Sequence, residues 1–184
     1  MKDINPLLLF ICLSIIIMVS PARQGGAGER PLSIIYAGEG IGNIRLGDKM
    51  EDVIKNLIWG KPEEFRKDEK KGEYYLIYKS RGVDFIFQVS KKAIGESILQ
   101  EVIINSPAFI TAGKGIRVGD KGVGIKENLL FQKGLNLQNS MSGCMDDDKE
   151  KDKRVVVCKG IRFIINKEND VILAIEVFSP YQKQ

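Results

Sequence analysis

The stretch Ala37-Gly38-Glu39-Gly40-Ile41 returns as Ala112-Gly113-Lys114-Gly115-Ile116, the first of several matches that recur in one order. Ile44-Arg45-Leu46-Gly47-Asp48-Lys49 returns as Ile116-Arg117-Val118-Gly119-Asp120-Lys121, Asn56-Leu57 as Asn128-Leu129, and Arg81-Gly82-Val83-Asp84-Phe85 as Lys159-Gly160-Ile161-Arg162-Phe163. Both series close on an apolar run and Ser-Pro, at Val102 to Pro107 and Ile175 to Pro180. A period of roughly 75 residues implies two copies of one supersecondary unit. The first copy carries an insertion around Gly42-Asn43-Ile44. Whatever the chain folds into must be buildable twice.

Each repeated block has a physical job. Asp48 is placed to cap a helix, with Glu51 three positions on to complete a capping box. Met50, Val53, Ile54 and Leu57 then form one apolar stripe at helical spacing, and Gly60 and Pro62 end it. In the second copy Asp120 takes the capping position and Ile125, Leu129 and Leu130 make the stripe. Gly122 and Gly124 each cost about 1 kcal/mol against Ala, so that helix is expected to be shorter or looser. After each helix the period changes to two. Tyr74 to Tyr78, Val83 to Val89 and Leu99 to Asn105 read as strands in the first copy, with Lys79-Ser80-Arg81-Gly82 as a hairpin turn. Arg154 to Cys158, Ile161 to Ile165 and Val171 to Phe178 repeat the series. The predicted class is α+β: two tandem repeats, each a short helix followed by an antiparallel three- or four-stranded sheet. Whether the repeats share one continuous sheet or sit side by side is open at this level.

The repeats occupy residues 32–107 and 108–184. Before them, Met1 to Ala22 reads as a signal peptide cleaved after Ala22, and residues 23–31 as a flexible Gly-rich leader. Its apolar run, Leu7 to Val19, is short of the roughly 20 residues a helix needs to span a bilayer, so no stable membrane insertion is expected after cleavage. The alternative is an uncleaved anchor. A lipidated Cys12 is disfavoured because Leu9-Phe10-Ile11 lacks the small residue expected before it. The expected compartment is periplasmic or secreted.

Ile-Arg-Leu-Gly-Asp before an amphipathic helix, Gly60-Lys61-Pro62 after it and alternating strands thereafter resemble a group of exported bacterial modules. The pattern is similar to the β-lactamase-inhibitor-protein fold, with two tandem helix-plus-sheet repeats, and to the small lipoprotein of the outer-membrane barrel assembly machinery, with one. The resemblance implies an envelope or extracellular protein-interaction module and supplies no catalytic residue. The second copy departs from it in its two helix glycines and in lacking the Pro after its helix.

The side-chain inventory narrows the chemistry. With no histidine, Ser-His-Asp and Cys-His nucleophiles and imidazole zinc sites are excluded. A net charge of +4 from interspersed signs does not argue for nucleic-acid binding. Cys144 and Cys158 form an even pair after signal removal and are expected to join in a disulfide. The acidic run from Asp146 to Asp152 fails as a calcium loop: Lys151 stands where such a loop needs Gly, and Val157 where it needs the bidentate Glu. The repeated glycines lack GxGxxG spacing and read as shared turns. No cofactor and no metal are expected. Trp59, Tyr74, Tyr75 and Tyr78 form an aromatic cluster, from which Trp59, Tyr74 and Tyr78, with Arg81 at the adjacent turn, are candidate protein contacts, since Trp and Tyr combine apolar area with a polar tip. The alternative for these aromatics is ordinary core packing.

These readings converge on an exported, non-enzymatic protein-binding module, an inhibitor, assembly factor or surface adaptor using a sheet face toward another protein of the envelope or extracellular space. The alternatives are a structural or stress-related envelope protein without a specific partner, and a hydrolase working through paired carboxylates.

Overall fold

The computed structural model describes residues 31–113, 115–123, 125, 144–147 and 151–180. The predicted signal peptide, nearly all of the leader and the second helical stripe beyond Ile125 lie outside them. The α+β class holds, with antiparallel sheet dominant. In chain order the strands are β1 (Ile34–Tyr36), β2 (Gly40–Ile41), β3 (Ile44–Arg45), then helix α1 (Met50–Asn56), β4 (Glu64–Asp68), β5 (Glu73–Tyr78), β6 (Val83–Gln88), β7 (Ile98–Ile104) and β8 (Ile110–Thr111). β9 (Met145–Asp147), β10 (Lys153–Cys158), β11 (Ile161–Asn166) and β12 (Ile172–Phe178) follow.

The strands form one eight-stranded sheet, ordered β4-β5-β6-β7-β12-β11-β10-β9, and one four-stranded sheet, ordered β3-β2-β1-β8. The question left open by the sequence is answered by the pairing: β7 pairs antiparallel with β12, and two meanders fuse edge to edge into one sheet. β8, which follows the predicted repeat boundary, pairs in parallel with β1, so the small sheet draws strands from both sides of that boundary. The physical reason is edge satisfaction. Two four-stranded sheets would expose four open edges, and fusion removes two of them.

The central pairing matches Val102 with Val177, Ile103 with Glu176 and Ile104 with Ile175. The shift that carries Val102 onto Ile175 also carries Ile104 onto Val177, so the register maps onto itself when the two meanders are exchanged. Local contacts run in parallel too. The Gly47 N–H donates to the Leu99 carbonyl at 2.8 Å, and the Gly119 N–H to the Ile172 carbonyl at 2.8 Å. The Leu99 and Ile172 N–H groups donate back to the Asp48 and Asp120 carbonyls, and both glycines have φ of +95°. The ladder irregularities also correspond: Gln100 between β6 and β7, and Leu173 between β11 and β12, stand unpaired. Each bulge lets core residues only three apart, Leu99 with Val102 and Ile172 with Ile175, point to the same face.

The capping expectation is corrected. Lys49, not Asp48, is the N-cap of α1, and no side chain caps it. The Asp48 carboxylate instead accepts from the Arg45 N–H at 2.7 Å, as the Asp120 carboxylate does from Arg117 at 2.7 Å. The Met50 N–H is taken by the Ser97 carbonyl at 2.8 Å, so a side-chain cap has less to offer there. Asp48→Ala and Asp120→Ala are each expected to lower stability by about 1 kcal/mol, one turn hydrogen bond, measured by urea unfolding. Of the α1 stripe, Met50, Val53 and Leu57 are buried, whereas Ile54 is 42% exposed. At the position matching Met50, Gly122 donates to the Asp170 carbonyl at 2.8 Å. A Cβ on Gly122 would meet the Arg154 guanidinium and the Asp170 carboxylate, both at 2.9 Å. The Arg154–Asp170 ion pair (2.7 Å) therefore fills space that Met50 fills in the first half.

One core cluster unites Met50, Val53 and Leu57 of α1, Ile35, Ile41 and Ile44 of the small sheet, and the alternating inward residues of the large sheet, Leu76, Phe85 and Phe163 among them. α1 and the small sheet thus cover the same face of the large sheet.

Candidate functional site

The second face of the large sheet is read directly from its register. One row of paired residues crosses all eight strands: Glu64, Ile77, Asp84, Ile103, Glu176, Arg162, Val157 and Met145. A neighbouring row runs Arg66, Tyr75, Ile86, Glu101 and Phe178. Apolar and charged side chains are interspersed along both. Tyr75, Ile77 and Ile86, each buried, form an apolar cluster with the half-buried Ile103, all from β5, β6 and β7; among the described residues no helix or loop contributes to it.

Charges frame this cluster. The Arg66 guanidinium lies 4.3 Å from the Tyr75 ring centroid. The Tyr75 hydroxyl donates to Glu73 at 2.5 Å, and burial, with Glu73 second, pushes that phenol up to about 12. At the join between the meanders, the Arg162 guanidinium donates to Glu176 and stands 3.8 Å from Glu101. Burial, reinforced by the Glu176 charge and opposed by Arg162, pushes the Glu101 carboxyl up to about 7. Burial also raises Asp84. By contrast, a hydrogen bond and ion pair from Lys79, at 2.8 Å, hold Glu64 below its usual range. Glu101, Arg162 and Glu176 did not figure among the expected site residues. The available signal was a carboxylate inside each of the apolar runs of β7 and β12.

The expected contact residues divide. Tyr78 and Tyr74 belong to the core cluster beneath α1 and the small sheet, which places them in core packing, the alternative for these aromatics. Tyr74 pairs with Phe87 and Tyr78 with Val83, so their faces follow from the buried alternation of β6. The Tyr78 hydroxyl donates to the Gly60 carbonyl at 3.2 Å, and its ring meets Trp59 edge-on at 5.5 Å. Trp59 also contacts Phe109 and Phe85, at 6.0 and 6.2 Å between centroids, and stays half-buried. Trp59 and the exposed Arg81 do come together, in the lining of a surface cavity of about 390 Å³ with Ile58, Ser80, Ser106 and Phe109.

The disulfide between Cys144 and Cys158 is present, with 4.2 Å between Cα atoms. Extending the Met145–Val157 pairing by one residue sets the two cysteines opposite each other across β9 and β10. Among the described residues no cluster of three or more His, Cys, Asp or Glu could hold a metal ion. Among them, too, no helix is long and apolar enough to cross a membrane. The acidic loop considered for calcium lies partly outside the described residues. Compared with protein-family models, curated proteins and solved structures, the chain has no match.

Proposed function

We propose that the chain is an exported, non-enzymatic protein-binding module, built by duplication of one helix-plus-sheet unit, that receives its partner on the open face of the eight-stranded sheet. The observation that carries this reading is the pair of mixed rows on that face. Over a nearly covered cluster of Tyr75, Ile77 and Ile86, the half-buried Ile103, Ile164, Glu101 and Arg162 offer a partner apolar area for affinity and charge for register. The corresponding turn hydrogen bonds, bulges and self-mapping central register support duplication. The disulfide favours an oxidising compartment and so an exported protein. The resemblance to tandem helix-plus-sheet exported modules fits the same picture as an expectation of type.

Carboxylate chemistry is the second reading. It draws on Glu101, whose proton affinity lies near neutrality beside Glu176. Against it, both carboxylates lean on the one guanidinium of Arg162, an arrangement that satisfies a buried ion cluster without a substrate.

Photo-crosslinking tests the binding reading. A crosslinking residue at Ile103 or Ile164, on the open face, is expected to trap one defined adduct in envelope extract. The same residue at Lys55, exposed on α1, is expected to trap none. Identical adducts from all three positions would remove the sheet face as the contact. No adduct from any would favour the partnerless structural role.

A further inference from the structure

We propose that the cavity between the exit of α1 and the β5–β6 turn is a binding site for an apolar carboxylate, its hydrocarbon body resting on Trp59, Ile58 and Phe109 and its carboxylate on Arg81. The site is separate from the sheet face, and neither reading depends on the other. At about 390 Å³ the cavity has the size of a small-ligand site. Its apolar part is pre-formed. Trp59 is braced by rings of Tyr78, Phe85 and Phe109. Ile58 beside it is 87% exposed, an apolar side chain offered to solvent.

The polar part is a cation whose neighbouring acids are held by other partners. Two carboxylates beside this turn are already engaged. Glu64 pairs with Lys79 at 2.8 Å, and Glu63 accepts from the Ser80 hydroxyl and N–H. Among the described residues no acid pairs with the Arg81 guanidinium, which leaves its planar donor fork open to an incoming carboxylate. The Ser106 hydroxyl accepts from the Ala108 N–H at 3.2 Å and keeps its own proton to donate. The walls are fixed. The Gly82 carbonyl accepts from the Asn105 N–H at 2.7 Å, and a Cβ on Gly82 would lie 2.8 Å from the Ser106 Cβ. The turn carrying Arg81 and the segment carrying Ser106 are thus held at close backbone distance, which favours a rigid site over one that must be ordered by its ligand.

Trp59 is the only tryptophan, so its fluorescence reports on this cavity alone. The full chain is titrated with 3-phenylpropionate, with the neutral 3-phenylpropionamide, and with an acetylated dipeptide ending in a free-carboxylate phenylalanine. A saturable change is expected with 3-phenylpropionate, weakened about tenfold or more by the amide, by Arg81→Gln and by Ile58→Ser. Both substituted side chains are exposed, so these variants keep the fold. Equal binding of the dipeptide acid would mark a peptide C-terminus as the source of the carboxylate; its exclusion would mark a free small acid. The Trp59 indole N–H resonance, followed in parallel, covers a spectroscopically silent complex. No saturable change in either signal up to about 10 mM, or equal binding of acid and amide, overturns the proposal.

Discussion

Gly160→Ala is expected to lower the free energy of unfolding by about 4 kcal/mol, backbone strain and backbone contact acting together. Gly160 sits in the β10–β11 turn at φ +76°, a conformation that costs a residue with a Cβ about 1 kcal/mol or more. The added carbon would also lie 2.3 Å from the Gly38 Cα and 2.5 Å from the Gly38 nitrogen. Both atoms are backbone and cannot rotate away, so the β1–β2 turn carrying Gly38 must move, an overpacking cost of about 1–3 kcal/mol. That movement strains the hydrogen bond from the Gly38 N–H to the Gly160 carbonyl at 2.8 Å. Gly119→Ala is the matched control. Its φ is +95°, nothing lies within 4 Å of the added carbon, and a loss of only about 1 kcal/mol is expected. Urea unfolding of the two variants separates conformational strain from contact. Equal losses would mean that the approach of Gly38 to Gly160 is not part of the folded state in solution.

The same pair shows what was legible in the sequence. The glycine blocks announced themselves by repetition, and positive φ at Gly38, Gly47, Gly113, Gly115 and Gly119 accounts for it. What repetition did not convey is that Gly38 of one half meets Gly160 of the other, because a sequence match identifies equivalent positions and not neighbouring ones. The six long strands were readable from their period of two. β4 was not: Glu-Phe-Arg-Lys-Asp is an edge strand whose only large apolar side chain, Phe65, is half-exposed, so backbone pairing to β5 defines it rather than burial. The small sheet is built of strands too short to carry a pattern.

Side-chain competition explains the other departures. Asp48 stands where a cap is expected, before an apolar stripe, yet its carboxylate reaches the Arg45 N–H within its own turn. Residue type alone groups Tyr74, Tyr75 and Tyr78, whereas parity divides them: Tyr74 and Tyr78 share a face with Leu76, and Tyr75 takes the other. Trp59 and Arg81 were selected separately, on an aromatic cluster and a basic turn. That they line one cavity depends on how the exit of α1 docks beside the β5–β6 turn, which no local pattern encodes.

Glu101→Gln is expected to stabilise the protein by about 2 kcal/mol at pH 8 and to change little at pH 4.5, and the sign follows from where the proton is held. Burial and the adjacent Glu176 push the folded-state carboxyl up to about 7 from its ordinary 4.5. Folding therefore favours the protonated acid. The favourable contribution is fully present below pH 4.5 and is lost as pH rises through 7, where the folded protein must carry a desolvated charge that the unfolded chain bears in water. At roughly 1.4 kcal/mol per pH unit, the gap corresponds to about 3 kcal/mol; the partial exposure of the side chain and the nearby Arg162 reduce it to about 2. Glutamine keeps the volume and polar character of the acid without the charge, so it removes the penalty without opening a cavity. Asp84, raised by burial, acts in the same direction and stays in both proteins. Glu63 and Glu64, held low by Ser80 and Lys79, act in the opposite direction and are likewise common to both. The difference between parent and variant thus isolates Glu101. Urea unfolding at pH 4.5 and pH 8 measures it, and a stability gap that does not change between those two conditions would mean that Glu101 is solvated like an ordinary surface carboxylate. A widening gap would establish that the join between the two meanders keeps a carboxylate at a cost to stability, which is what a face retained for recognition requires and a face retained only for folding does not.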